Sequence, residues 1–291
     1  MNNIANFQVD KEKCIGCGLC TKVCPGQLLY LDEDRKAATV EVDTLGWNGC
    51  WRCEHCLAVC PKGAIQILGK KPEDSLPPAD PAEAAPMLDA MLANRHTCRR
   101  YLDKNVPKEV LYDMISRLGN IPNGGNHMLL EYTVIDDKEQ VKRFRKLVYD
   151  RMEELAAQGV YPAEFGEKVY RDMKRWTSLV RPDMLFCGAP HLVIPHGPRG
   201  RGECELDLVV ACTQLDLQCA ARGLGSSIIS FPMGVLATMP EIRSLLQIPE
   251  NHYAPLIVGV GYPEIRYRRG SQRRVDPAKI HTLTFEGEKE T

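Results

Sequence analysis

Past residue 86 the apolar positions fall into two periods, and they predict alternating helices and strands. Met87, Leu88, Met91 and Leu92 recur at helical spacing. "VPKEVLYDMISRLG" places Pro107 at a helix start and Val110, Leu111, Met114, Ile115 and Leu118 on one face. "LLEYTVID" (129–136) alternates as a strand does, and "HLVIP" (191–195) reads as a second, short strand. "CELDLVVACTQLDLQCAARGLG" predicts a long buried helix with Leu208, Ala211, Cys212, Leu215 and Cys219 inward and Gly223 as its stop. "SSIISF", a helix near 234–246 and the apolar strand "YAPLIVGVGYP" complete the pattern. Residues 138–181 are charged and helical, and read as an excursion rather than core. The mixture is α+β, and no G-x-G-x-x-G follows a strand, so a Rossmann nicotinamide site is not supported.

Before residue 70 the pattern is set by cysteine. Cys14, Cys17, Cys20 and Cys24 follow C-x2-C-x2-C-x3-C, closed by Pro25. Cys50, Cys53, Cys56 and Cys60 repeat it, closed by Pro61, at a constant offset of 36 residues that also matches Val23 with Val59. The segment is an internal duplication. Three thiolates at successive three-residue steps can wrap one face of an iron–sulfur cube, and the fourth, beyond the turn, ligates the other cluster. The spacing therefore pairs Cys14, Cys17, Cys20 and Cys60 around one [4Fe-4S] cluster and Cys50, Cys53, Cys56 and Cys24 around a second. Zinc is the alternative, but structural zinc sites favour two C-x2-C pairs separated by a longer loop. Gly16 and Gly18 suit close backbone approach to a cluster, whereas Trp51 and His55 are bulky for the second motif. Trp51 reads as cover for the cluster, and His55 is not needed as a ligand. Residues 6–69 resemble a bacterial-type two-cluster ferredoxin.

Composition adds limits. The chain has 291 residues and a formal net charge of −1, which points neither to nucleic acid nor to a membrane surface. Its start lacks a basic and apolar leader, so the expected location is the cytoplasm. Eight of the 13 cysteines lie in the duplicated motif. The others (Cys98, Cys187, Cys204, Cys212 and Cys219) lack ligand spacing and read as small buried apolar residues. "GKKPEDSLPPADPAEAAP" (69–86) carries five prolines and reads as a tether. The expected organisation is a ferredoxin domain (1–69), a Pro-rich linker (70–86) and a second domain (87–291).

"RHTCRRY" (95–101) gathers basic groups and a hydroxyl at a helix end, a set able to hold a phosphate or to stand solvated. A second basic group, Arg266, Arg268, Arg269, Arg273 and Arg274, lies near the carboxyl end. Taken in order with "IPNGGNHM", "ARGLGSSIIS" and "VGVGYPEIRYRRGSQRR", these motifs resemble the FMN-dependent nitroreductase family over residues 87–285. The resemblance implies an α+β homodimer with FMN in the subunit interface. It implies that Arg95, His96, Thr97 and Arg99 contact FMN, that Asn126 bonds the isoalloxazine ring, and that Ile229, Ser230 and Phe231 present backbone groups to it. Arg273, or alternatively Arg274, would close on the phosphate. His96 stands where arginine is commoner and Thr97 where serine is. Met128, Leu129 and Leu130 replace the usual Gln-Pro-Trp beside the substrate pocket. His127 and Tyr132 read as loop and strand residues with no catalytic role.

The resulting expectation is an iron–sulfur flavoprotein that passes electrons from [4Fe-4S] clusters to FMN and on as hydride to a nitroaromatic, quinone or enone. The donor is a low-potential ferredoxin-like protein or NAD(P)H. The alternative is an electron-transfer module whose acceptor is another protein, with NAD(P)H reducing FMN directly as a further variant. No residue is expected to act as a catalytic nucleophile.

Overall fold

The computed structural model describes residues 3–161, 166–168, 170–172 and 183–284. The first domain runs β1 (Gln8–Val9), α1 (Leu19–Val23), β2 (Leu29–Leu31), β3 (Ala37–Thr39), α2 (His55–Ala58) and β4 (Ile65–Gln66). β1 and β4 pair antiparallel and tie the two ends of the duplication together, while β2 and β3 form a hairpin. Each copy of the motif supplies one short helix, with Cys20 buried on α1 and Cys56 buried on α2. Phe7, Val42, Leu57, Ile65 and Ile67 fill the space between the cysteines. So small a core leaves the domain dependent on a staple.

The linker is less extended than its prolines suggest. Helix α3 spans Pro81–Asn94, beginning inside the stretch expected to be a tether. Asp80 caps it by accepting from Ala82 N, and Pro81 occupies the first turn, where its missing N–H is no loss.

The second domain continues with α4 (Lys108–Ser116), β5 (Glu131–Ile135), α5 (Lys138–Ala157), β6 (His191–Pro198), α6 (Gly202–Ala221) and β7 (Gly225–Ile229). It closes with α7 (Phe231–Leu236), α8 (Pro240–Arg243), β8 (His252–Tyr253) and β9 (Ile257–Gly261). The sheet order is β5-β6-β9-β7, antiparallel throughout, with β8 beside the end of β6. Helices cover both faces, because β6 and β9 are apolar on both sides. Leu192, Ile194 and Ile257 point into the core under α5, α7 and α8. Val193, Val258 and Val260 point into the core under α4 and α6. The inward set expected on α6, Leu208, Ala211, Cys212, Leu215 and Cys219, is buried, and the helix stops where Gly223 takes φ +67°.

Two expectations change. Residues 138–157 are core rather than excursion: α5 buries Val141, Phe144, Val148 and Met152 at helical spacing beneath a charged outer face. The expectation for residues 162–165, 169 and 173–182 falls outside the described residues. The single helix expected near 234–246 is broken at Met239, because the residue before Pro240 is pushed out of the helical region. Among the described residues no helix is long and apolar enough to cross a membrane.

Leu215 is fully buried between α6 and the sheet. Leu215→Ala is expected to lower the unfolding free energy by about 2–5 kcal/mol, read as a shifted denaturation midpoint. A change below about 0.5 kcal/mol would place that residue on the surface.

Candidate functional site

The fold gathers the duplicated cysteines into two sets. One small cavity is walled by Cys14, Cys17, Cys20 and Cys60, with Ile15, Leu19 and Ile65 around them. The other is walled by Cys24, Cys50, Cys53 and Cys56, with Phe7, Val42 and Trp51. Each wall thus takes three cysteines from one copy and the fourth from the other. His55 belongs to neither. The duplication extends to the backbone: Leu28 N donates to Cys24 Sγ (3.4 Å), and Ala64 N, 36 residues on, donates to Cys60 Sγ (3.3 Å). Ala37 N adds a third such bond to Cys14 Sγ at 3.5 Å. Burial pushes the Cys20 and Cys50 thiols up and carries Cys56 to about 12. Thiols so buried lose their protons only to a cation that compensates the charge, which is what iron supplies.

The second site is a cavity of about 710 Å³ between α3, the 95–100 segment, the carboxyl end of α6 and residues 263–267. The 95–102 segment is held by isolated bridges, Thr97 to Ser226 and Tyr101 to Pro263. Cys98 N donates to Ser226 O (2.7 Å), Leu102 N to Tyr262 O (2.9 Å) and Glu264 N to Arg100 O (3.1 Å). Gly225 permits this close packing, since a Cβ there would meet Cys98 at 2.7 Å. Arg95 Nε lies 2.6 Å from Asp216 Oδ2 as an ion pair rather than an aligned hydrogen bond, and Ser226 Oγ donates to Asp216 Oδ1. Asp216 is buried, so its charge depends on both partners. His96 stacks on Tyr267, ring centroids 3.8 Å apart, and its Nδ1 lies 2.7 Å from Asn94 O. Arg99, Arg100 and Arg266 add positive charge to the wall, opposite the apolar Met87, Ala90 and Met91. The cavity suits a flat ligand with an anionic end.

Of the expected contacts, Arg95, His96, Thr97 and Arg99 line this cavity. Ile229, Ser230, Phe231, Asn126, Arg273 and Arg274 are not in its wall. Ile229 ends β7, and Ser230 with Phe231 opens α7. Ser271 N bonds Ala93 O (2.8 Å); Arg266, before this anchor, lines the cavity, while the exposed Arg273 and Arg274, after it, do not. Asp216 and Arg266, which are not among the expected contacts, also line the cavity. An acid on the inward side of an apolar helix was the available signal for Asp216.

Asn126 instead meets the ferredoxin domain. Its Nδ2 donates to Trp51 O (2.7 Å), and Arg52 Nη2 donates to His127 O (3.0 Å). The loop is fixed from behind by Asp207, whose carboxylate accepts from Gly124 N (3.1 Å). Burial raises the Asp207 pKa. The motif of the second cysteine cavity thus rests directly on the "PNGGN" loop. Cys187, Cys204, Cys212 and Cys219 are buried as expected, and Cys98 is half-buried.

Residues 92–262 match the nitroreductase family, and residues 13–64 match the 4Fe-4S dicluster domain. The chain belongs to the nitroreductase family and carries a two-cluster ferredoxin domain in front of it. It is 43% identical over 67 residues to an uncharacterized ferredoxin of Methanocaldococcus jannaschii, covering 22% of this chain and 80% of that one. It is 26% identical over 199 residues to an iodotyrosine deiodinase of Danio rerio, covering 65% of this chain and 64% of the relative's length. Among solved structures, an FMN-bound nitroreductase from Bacteroides fragilis superposes with a TM-score of 0.53 at 19% identity. That match covers 68% of this chain and 98% of the other. An FMN-bound nitroreductase from Desulfitobacterium hafniense gives 0.52, also at 19%, over 67% and 96%.

The docking contact is testable. Asn126→Ala combined with Arg52→Ala removes both side-chain bonds across it. Limited proteolysis in the exposed 76–80 stretch is expected to quicken several-fold. An unchanged cleavage rate would show that these bonds do not hold the domains together.

Proposed function

We propose that this protein is an FMN-dependent iron–sulfur oxidoreductase, in which electrons entering the [4Fe-4S] clusters pass to FMN and leave as hydride to a small organic acceptor. The observation that carries this reading is a basic and apolar cavity of about 710 Å³ in a nitroreductase-family domain on whose loop a cysteine-cluster motif is docked. When bound, FMN supplies the junction between one-electron and two-electron chemistry.

The residues then have separable tasks. Cys14, Cys17, Cys20 and Cys60 hold one cluster, and Cys24, Cys50, Cys53 and Cys56 hold the other. The N–H bonds to Cys14, Cys24 and Cys60 favour charge on sulfur and so tune the potentials. Trp51 and Arg52 make the contact with the flavin domain, so Cys24, Cys50, Cys53 and Cys56 would hold the cluster that faces that domain. Arg99 and Arg266 bind the phosphate end, while Asp216 fixes Arg95 in one orientation. Thr97 offers hydrogen-bonding groups beside the ring. Positive charge along the wall favours the anionic reduced ring.

The remaining expected contacts, Asn126 and the 229–231 stretch, fit a site completed by a second copy of the chain. Leu206 and Val209 on α6 and Met87, Leu88 and Leu92 on α3 are exposed apolar residues suited to such a homodimer. Nitroaromatics, quinones and enones form the acceptor class, and the deiodinase relative adds iodinated phenols to the panel. The natural donor is a low-potential ferredoxin-like protein, and the working location is the cytoplasm.

Anaerobic visible titration tests the direction of flow: dithionite is expected to bleach the clusters and the flavin, whereas NAD(P)H alone is not. Reduction of flavin by NAD(P)H ahead of the clusters would reverse the assigned direction. Cys20→Ala is expected to lower bound iron from about eight to about four per chain with FMN retained; flavin loss with full iron would refute the ligand assignment. Arg266→Ala is expected to weaken FMN binding roughly 10–100-fold, the worth of one hydrogen bond to a charged group.

A further inference from the structure

Away from both cluster cavities and from the basic cavity, three neighbouring strands bring ligand-type side chains to one point. His196 on β6 is the cross-strand partner of Glu131 on β5. His252 opens β8, which pairs with the same end of β6. One ligand atom from each of the three lies within 4.8 Å of the others. The imidazoles are buried, at 3% and 6% exposure, while Glu131 is exposed and leaves an approach from solvent.

The hydrogen bonds decide which nitrogens are available. Thr133 Oγ1 has one proton and donates it to Leu246 O at 3.2 Å. The same oxygen lies 3.1 Å from His196 Nε2, so it must accept there and Nε2 carries the hydrogen. In the neutral ring His196 Nδ1 is then a bare lone pair, and it faces His252 Nδ1 at 2.9 Å. Two imidazole nitrogens at that distance share either a proton or a cation. Pinning the far nitrogen of a histidine by a hydrogen bond is how metal-binding imidazoles are oriented, and Thr133 does this with its own proton locked on a backbone carbonyl.

We propose that Glu131, His196 and His252 form a site for a divalent transition metal of the zinc class, separate from the iron–sulfur and flavin chemistry. Two imidazoles and one carboxylate suit zinc and its neighbours rather than calcium or magnesium. Bonds of about 2.0–2.1 Å from nitrogen span the gap between the rings with a small opening of the pair. A fourth position lies open on the Glu131 side for water. The ion would clip β8, which has two residues, onto β5 and β6.

The test is calorimetric titration of zinc chloride into anaerobically purified protein with its clusters in place, with zinc K-edge absorption on the loaded sample. Wild type is expected to bind one zinc more tightly than about 1 µM, with nitrogen and oxygen in the first shell. His196→Gln and His252→Gln should each weaken it at least 100-fold, and Thr133→Val roughly 10–100-fold. Glu131→Gln alters an exposed side chain and keeps the test valid if a histidine variant fails to fold; it should weaken binding about 10-fold. Absence of zinc uptake by wild type would show a shared proton only and overturn the proposal. So would unchanged affinity in Glu131→Gln and Thr133→Val, or sulfur in the first shell.

Discussion

Two buried carboxylates on helix α6 hold both the docking loop and one wall of the basic cavity. The helix is pressed against the sheet along Leu208, Ala211, Cys212, Leu215 and Cys219, and Asp207 and Asp216 are carried into low exposure with it. A buried charge must find partners, and each acid takes a functional segment. Asp207 holds the backbone of Gly124, and with it the loop on which the ferredoxin domain rests. Asp216 holds Arg95 and Ser226, and with them one wall of the basic cavity. The nine-residue step from one to the other corresponds to roughly 14 Å of helix. One rigid element therefore sets the placement of the docking loop relative to the cavity.

The ferredoxin domain meets a different constraint. Its few apolar residues surround cysteines instead of one another, and the cluster cavities lie where a larger domain would have a core. Crossing the fourth cysteine of each copy into the other set couples the halves, so neither motif can be ordered alone. The repeated amide-to-sulfur bonds at Leu28 and Ala64 show that the duplication preserved backbone geometry as well as ligand spacing.

Much of this was legible from residue order. The cysteine spacing fixes which thiolates can share a cluster, because three-residue steps before a proline turn leave few geometries. The apolar periods of α4, α6, β6 and β9 foretell a two-faced sheet. Residues 138–157 were misread because the charged face of α5 dominates its average, although Val141, Phe144, Val148 and Met152 keep strict helical spacing. The basic "RHTCRRY" run was visible as a candidate anion site, but the place of Arg266 in the cavity wall, with Arg273 and Arg274 outside it, was not. That placement depends on the path of the carboxyl segment, which bonds back to Ala93 O through Ser271 N.

By itself the sequence determined the cofactor chemistry of the first domain and the layered α+β plan of the second, since both follow from local spacing. Only the tertiary structure decided that Asn126 meets Trp51, that Asp216 holds Arg95, and that Glu131, His196 and His252 converge. Each of these joins residues 56 to 121 positions apart across separately folded elements. No local period encodes such pairings; they arise because burial leaves polar groups that can be satisfied only by whatever the packed chain brings beside them.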